Sequence, residues 1–533
     1  MMWHSFISVI KTNLERQVPA TGLGLFRIAF GLVIVQEIIF LFYFRHLIFD
    51  LTPFLDRAST FIHALLIVWG AIAVFLTLGL HTRINALLNY IFWVVFVVFT
   101  NMWEDFDGGF DQLVIGSSFL LIFIPSERAF SLDNLRLRIA HFKPNQSWEP
   151  KRTAPLLSYQ LVVLFSLGLL YFDSFVHKLF AEHWLNGMGA WLPSSMPYYI
   201  SALDVSWLLN QKPLMQTIGY LILVFQFAFI FIFFRRWARI PILIIGASFH
   251  LGITLFLNIY PFGLAMLAHY LLLVPFHWWT CIGKRIRAKK PRLSVFYDQD
   301  CALCRRTVAT IQHFDIAHAI ELKGLQSHAA EQPQLANINQ SELLKDLYAI
   351  DQKNRLYSGI DTYLQILKAM RYPAPIAYLI SVPGLYHCAK VIYRNIADNR
   401  NRQPCNETCI PATTAVNNNL ISTYLNKISP TSKQAATRIA KILALVVFLQ
   451  LNVTIVHGLL HRIPNNLEQT PLGQLLFPVS GAITLFSHTL LGITPHALYL
   501  HDHFQGFNHI LAFTSVDENQ QEHWIPFVNK QGR

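Results

Sequence analysis

The chain has 533 residues, 53% of them hydrophobic and only 14% charged, with a net charge of +12. An ordinary soluble domain carries about 25% charged residues, so the composition excludes a wholly soluble protein and indicates a polytopic membrane protein with room for one further domain. The basic excess crowds short loops beside apolar runs, where it orients spans in a bilayer, and so gives no reason to expect a nucleic-acid partner.

Lys11 and Arg16 precede an apolar run over residues 23–44 that is too long for a signal-peptide core and has no small-residue cleavage site, so it reads as an uncleaved first span. Further spans are expected over residues 61–80, 86–102, 110–125, 155–175, 214–234, 241–257 and 262–281, the fourth being short. Three basic clusters follow the fourth, sixth and eighth: Arg128 to Arg152, Arg235 to Arg239, and Lys284 to Arg292. They fall on one side only if eight spans precede residue 290, which leaves Glu104, Asp105, Asp107 and Asp111 opposite. The expected topology puts the N-terminus and residue 290 in the cytoplasm of a bacterial-type inner membrane.

The informative stretch of this block is Leu170-Tyr171-Phe172-Asp173-Ser174-Phe175-Val176-His177-Lys178-Leu179, followed by Trp184-Leu185-Asn186-Gly187. Asp173, His177 and Lys178 sit at the outer end of a span, where ionisable groups are costly and often functional. The plainer alternative is that His177 and Lys178 reach the interface as anchors. Tyr171-Phe172, Lys178-Leu179 and Trp184 to Gly187, with Phe249-His250-Leu251, Phe262 and Met266, resemble the vitamin K-dependent gamma-carboxylase and its bacterial relatives, the HTTM domain proteins. The resemblance covers about residues 15–281 and implies that Lys178 is a base in quinol chemistry, which would make a quinone the cofactor. Two departures argue against glutamate carboxylation. Residues 103–111 carry no histidine where the carboxylase has an Asn-His pair, and only a short tail stands where it has a large luminal region.

From residue 291 to about 428 the apolar runs shorten and alternate with polar residues. Strands are expected over 293–297, 320–325 and 347–350, a turn and return strand over 351–358, and helices over 304–314, 361–370 and 386–399. Between the first strand and first helix stands Asp298-Gln299-Asp300-Cys301-Ala302-Leu303-Cys304. Cys301 at a helix N-terminus favours a thiolate, and Cys304 one turn on can resolve a mixed disulfide. Asp298 and Asp300 oppose that thiolate, and Arg305 and Arg306 support it. This β-α-β start with Cys-x-x-Cys is thioredoxin-like. The same residues, with Gly359-Ile360-Asp361, Val382-Pro383-Gly384 and Tyr393 to Arg400, resemble the DCC family (DUF393) of thiol–disulfide oxidoreductases over about residues 292–403.

Cys405 and Cys409 form a second pair, open to a redox, zinc-binding or inert role. All six cysteines lie between Cys281 and Cys409, which fits a reducing compartment for that stretch. Residues 438–460 read as a ninth span, and residues 472–493, with Pro478 and Gly481, as a tenth or as a broken interfacial segment. Residues 509–516 and 522–528 read as a β-hairpin in a small periplasmic tail. His496, His501, His503 and His509, with Asp502, offer no full metal-ligand set.

The expected architecture is a polytopic α-helical bundle over residues 1–290, an inserted α/β thioredoxin-like domain over 291–428, and a ninth span with its tail over 429–533. The expected function is a membrane-bound protein-disulfide oxidoreductase using Cys301 and Cys304, linked to a quinone in the bundle and to a redox partner protein or small thiol. Lys178 is the candidate base of the first alternative, a quinol-oxygenase-like enzyme; the second is a non-catalytic assembly or lipid-binding protein.

Overall fold

The computed structural model describes residues 2–50, 60–100, 102, 108–142, 149–195, 199, 201–259, 261–400, 420–460, 467–496 and 513–525. Cys405, Cys409, His501, His503, His509 and Asp502 lie outside the described residues. The chain divides into two compact units: Met1–Ser126, Thr153–Val274 and Tyr424–Arg533 form one, and Glu127–Arg152 with Pro275–Thr423 the other.

The first unit is a helical bundle. Eight of its described helices are long and apolar enough to cross a bilayer: Thr21–Tyr43, Thr60–Leu78, Thr82–Phe99, Leu156–Lys178, Lys212–Ile232, Arg239–Phe256, Ser432–Leu459 and Pro471–Leu491. Helices suit this setting because each satisfies its own backbone hydrogen bonds where no water is available. Their faces divide: Phe26, Phe30 and Ile34 are buried, whereas Leu32 and Ile39 of the same helix are exposed.

Two expected spans are corrected. Residues 110–125 yield a helix of only 14 residues, Gly108–Leu121. Residues 262–281 yield Phe262–Tyr270, of 9 residues, and then a separate helix, Phe276–Ile286, that falls in the second unit. At 1.5 Å per residue these reach roughly 21 and 14 Å, against a hydrocarbon core of about 30 Å. Pro275 divides the second pair: its extended ψ of 132° caps the new helix, and its ring supplies no N–H to continue the old one. Both short helices are inner elements; Phe262, Ala265, Met266, His269 and Tyr270 are all buried.

Pro471–Leu491 is a continuous helix through Pro478, but its far end does not emerge across the bundle. His488 meets Gln112 at 2.5 Å, and the Leu491 carbonyl lies against Gly116. Gly492 then adopts φ 66°, a left-handed turn that glycine tolerates. The chain doubles back so that the His496 amide donates to Asp173 at 2.6 Å. The segment therefore returns toward the Lys178 end of its neighbour.

The second unit holds a four-stranded mixed sheet. Leu293–Tyr297 pairs parallel with Ile320–Gly324 and antiparallel with Tyr348–Asp351, and Leu356–Ser358 completes the edge. The crossover helix is Ala302–Phe314, so the thioredoxin-like β-α-β start stands as expected. Leu293, Val295 and Tyr297 pack with Val308, Ile311, Ala349, Ile366 and Met370 in one core that includes both Cys301 and Cys304. Gly359, at φ 60°, allows the turn into the helix Ile360–Met370, and a Cβ there would sit 3.1 Å from Tyr393. Two helices follow, Ala374–Ile380, which the sequence reading omitted, and Pro383–Asp398, bent at 96°. The basic loop after residue 126 joins this unit, with Leu132–His141 capped by Ser131 and Phe142 packed on the core. The terminal hairpin, Phe513–Val516 with Glu522–Ile525, is antiparallel as expected.

Candidate functional site

The strand Leu293–Tyr297 delivers the chain to Asp298, which is buried and fixes the loop that follows. Its Oδ1 accepts from the Asp300 amide at 3.0 Å and from Gln326 Nε2 at 2.6 Å. Cys301 is the N-cap of Ala302–Phe314, and its Sγ accepts from the Cys304 amide at 3.5 Å. A sulfur so placed faces the unsatisfied N–H groups of the first turn, which stabilise negative charge. The hydrogen bond from the Cys304 thiol, helped by the Cys304 and Leu303 amides and by Arg400, outweighs burial and pulls the Cys301 thiol down to about 6. Cys304 moves the other way, raised by that same hydrogen bond to Cys301 and by burial. One sulfur is thus poised as nucleophile and the other held protonated, the division that thiol exchange needs.

The cation at this site is Arg400, just past the helix Pro383–Asp398. Its Nη1 donates to Cys304 Sγ at 3.4 Å, and its Nη2 donates to the Leu344 carbonyl. Arg305 and Arg306, expected for this role, are not the residues that reach the sulfurs. The motifs at 359–361 and 382–384 meet where Tyr386 donates to Asp361 at 3.1 Å. Tyr393 and Arg394 both donate to Asp346 at 2.9 Å, which fastens the helix that leads to Arg400.

Lys178 lies in the other unit, at the end of Leu156–Lys178. Its side chain is only 2% exposed, as is His177, while Asp173 is fully buried, so none of them reaches toward water as an interfacial anchor would. Lys178 Nζ donates to Ser174 at 2.5 Å and stands 4.8 Å above the Trp184 ring. It lines a cavity of about 460 Å³ that also takes in Tyr171, Phe249, His250, Phe262 and Met266. Tyr171 hydroxyl meets His250 Nε2 at 2.5 Å and Tyr270 hydroxyl at 2.7 Å. His250 Nδ1 and Gln226 Oε1, both from cavity-lining residues, are buried with no hydrogen-bond partner among the described residues. The cavity is mostly apolar, with a few convergent polar groups, as small-molecule sites are.

Behind Lys178, Asp173 accepts from Thr454 Oγ1 at 2.5 Å and from the His496 amide at 2.6 Å, with His177 Nε2 at 3.5 Å. Thr454 lies in a π-helical stretch, Asn452–Leu459, whose wider turn also brings Gly458 against the His177 ring.

Residues 15–278 match the family model of the HTTM domain, and residues 295–406 match that of the DCC1-like thiol-disulfide oxidoreductase. The chain is an HTTM domain followed by a DCC1-like domain. No curated protein and no solved structure matches it.

The DCC1-like domain brings Cys301 and Cys304 together as expected; Lys178 belongs to the HTTM domain's own cavity. Sequence reasoning missed Arg400 as the partner of Cys304, Gln326 as the clamp on Asp298, Tyr270 beside Tyr171 and His250, and Thr454 as partner of Asp173. Tyr270 falls one helical turn after Met266 on the same short helix, a periodicity signal that was available. Thr454 and His496 lie beyond the HTTM match, and no local pattern ties them to Asp173.

Proposed function

We propose that this multi-pass membrane protein catalyses thiol–disulfide exchange with Cys301 as nucleophile and Cys304 as resolving thiol. The observation that carries the reading is the Cys301 sulfur at the N-cap, hydrogen-bonded by Cys304 and pulled down to about 6. The Cys301 thiolate attacks a disulfide of a partner protein or small thiol, forms a mixed disulfide and expels one partner sulfur as thiolate. Cys304 then loses its proton and attacks Cys301, forming the intramolecular disulfide and expelling the second sulfur. Two electrons pass to the substrate in that direction, and the reverse sequence oxidises a dithiol.

The finer part of the reading links this couple to a quinone in the HTTM cavity. The residues fit such a group: His250 Nδ1 can donate to a ring carbonyl, Gln226 Oε1 can accept from a ring hydroxyl, and apolar walls suit the rest. A quinone, when bound, supplies a two-electron, two-proton couple. Lys178 would hold or accept a proton at Nζ beside it, and the same burial favours the second reading, a quinol-oxidising enzyme with Lys178 as base. The proposed setting is a bacterial inner membrane with the dithiol in the cytoplasm.

The test is the redox state of Cys301 and Cys304 in cells, trapped by acid quench and alkylation, with the quinone pool held oxidised or reduced. The reading expects a mixed population that follows the pool. A pair fully alkylated under both conditions removes the quinone link, and loss of mixed disulfides from neither Cys301→Ser nor wild type on dithiol challenge removes the exchange activity itself.

A further inference from the structure

We propose that the DCC1-like domain rests on the lipid surface through the bent pair Ala374–Ile380 and Pro383–Asp398. Ile376, Leu379, Val382, Leu385, Ile392 and Ile396 are each between 48% and 60% exposed on these two helices. A water-facing domain seldom leaves so many large aliphatic side chains together in solvent. On the longer helix they fall at i, i+7 and i+11, one stripe of an amphipathic surface. The opposite faces are committed to the domain: Ala377 and Ala397 are buried, and Tyr386, Tyr393 and Arg394 are tied to Asp361 and Asp346.

Three further observations choose lipid as the occupant. The helices have 7 and 16 residues and meet at 96°, so the pair cannot cross a bilayer as one rod but can lie in its interface. From Arg371 to Asp398 the only acidic residue is Asp398, ion-paired with Arg394 at 3.2 Å, while Arg371 and Lys390 are exposed and suit anionic headgroups. The helix that opens the unit, Phe276–Ile286, has the same character. It buries no side chain, exposes Trp278, Ile282 and Ile286 at i, i+4 and i+8, and carries Lys284 and Arg285 in its last turn. The domain's chain leaves into the span Ser432–Leu459, which keeps it at high effective concentration near lipid.

The contact would bear on the dithiol. Pro383–Asp398 runs directly to Arg400, the residue that donates to Cys304, so a helix steadied by lipid also steadies that cation.

The test uses full-length protein in nanodiscs of phosphatidylethanolamine and phosphatidylglycerol, in a background whose native cysteines are serine, so that it is independent of thiol exchange. Nitroxide labels go on Leu379→Cys, Leu385→Cys and Ile392→Cys, with Lys353→Cys on an exposed turn as the water-facing control. Mobile labels more accessible to oxygen than to a nickel chelate at all three positions, with the order reversed at 353, support the proposal. Nickel accessibility like the control overturns it, as does an immobilised label shielded from both reagents, which would mean a protein or second copy covers the face. Should the labelled variants fail to fold, native Cys388, exposed on the same helix, serves as the probe in wild-type protein. Faster reaction with N-ethylmaleimide than with a charged maleimide, relative to detergent-solubilised protein, supports lipid contact; equal rates in both settings refute it.

Discussion

Replacing Cys304 with alanine should reshape the pH dependence of Cys301 in a way that scarcely depends on substrate. The largest influence holding Cys301 near 6 is the hydrogen bond from the Cys304 thiol, so its loss releases Cys301 toward the ordinary value of 9. At pH 7 the thiolate fraction then falls from about 0.9 to about 0.01 for a full release. A more basic thiolate is also the better nucleophile, and a Brønsted slope of about 0.45 over roughly three units returns about 20-fold. The net alkylation rate at pH 7 should therefore fall only about fourfold. At pH 5.5 the deficit should grow to about 30-fold, and by pH 10 the variant should react about 20-fold faster than wild type. The assay is iodoacetamide labelling of Cys301, followed by peptide mass spectrometry from pH 5 to 10, with Cys281, Cys388, Cys405 and Cys409 changed to serine in both proteins. Rate curves that run parallel without crossing would refute the assignment, and faster labelling of Cys304 than of Cys301 in the reference protein would reverse it.

Three other outcomes are expected. Because the chain turns back at Gly492 toward Asp173, a reporter after Arg533 should lie across the membrane from one after Arg292; reporters on the same side would mean that Pro471–Leu491 crosses. Lys178→Arg should keep insertion and abundance yet lower quinone-linked turnover by roughly 100-fold or more, since a guanidinium does not give up its proton near neutrality; unchanged turnover would leave Lys178 a structural residue. Asp173→Ala strands the Thr454 hydroxyl and the His496 amide, which should cost about 1–3 kcal/mol per buried group and lower the thermal midpoint in detergent; an unshifted midpoint would show that water replaces the carboxylate.

The sequence shows the dithiol clearly and its surroundings poorly, and the reason is distance along the chain. Leu293 to Cys304 is one continuous stretch whose strand pattern, loop and helix start are all local, so the strand-to-helix placement of Cys301 could be read directly. Arg400 reaches Cys304 only because a bent helix pair brings it back across 96 residues, and nothing in its own neighbourhood marks it above Arg305 or Arg306. Hydropathy has a parallel weakness. It sums composition over a window and is blind to continuity, so residues 262–281 pass as one span although Pro275 divides them. It is equally blind to depth, so a segment that goes in and turns back at Gly492 looks like one that crosses. Lys178 sat between two readings because a lysine at a span end can either reach out to water or stay in. Its neighbours decide the matter: Ser174 one turn back accepts from Nζ, and Trp184 covers it. Both were in the stretch that drew attention, but their effect depends on the turn after Lys178 folding Trp184 back over the amine. That fold rests in part on Gly187 holding φ at 83°, a position where a side chain would also strike the Tyr220 ring.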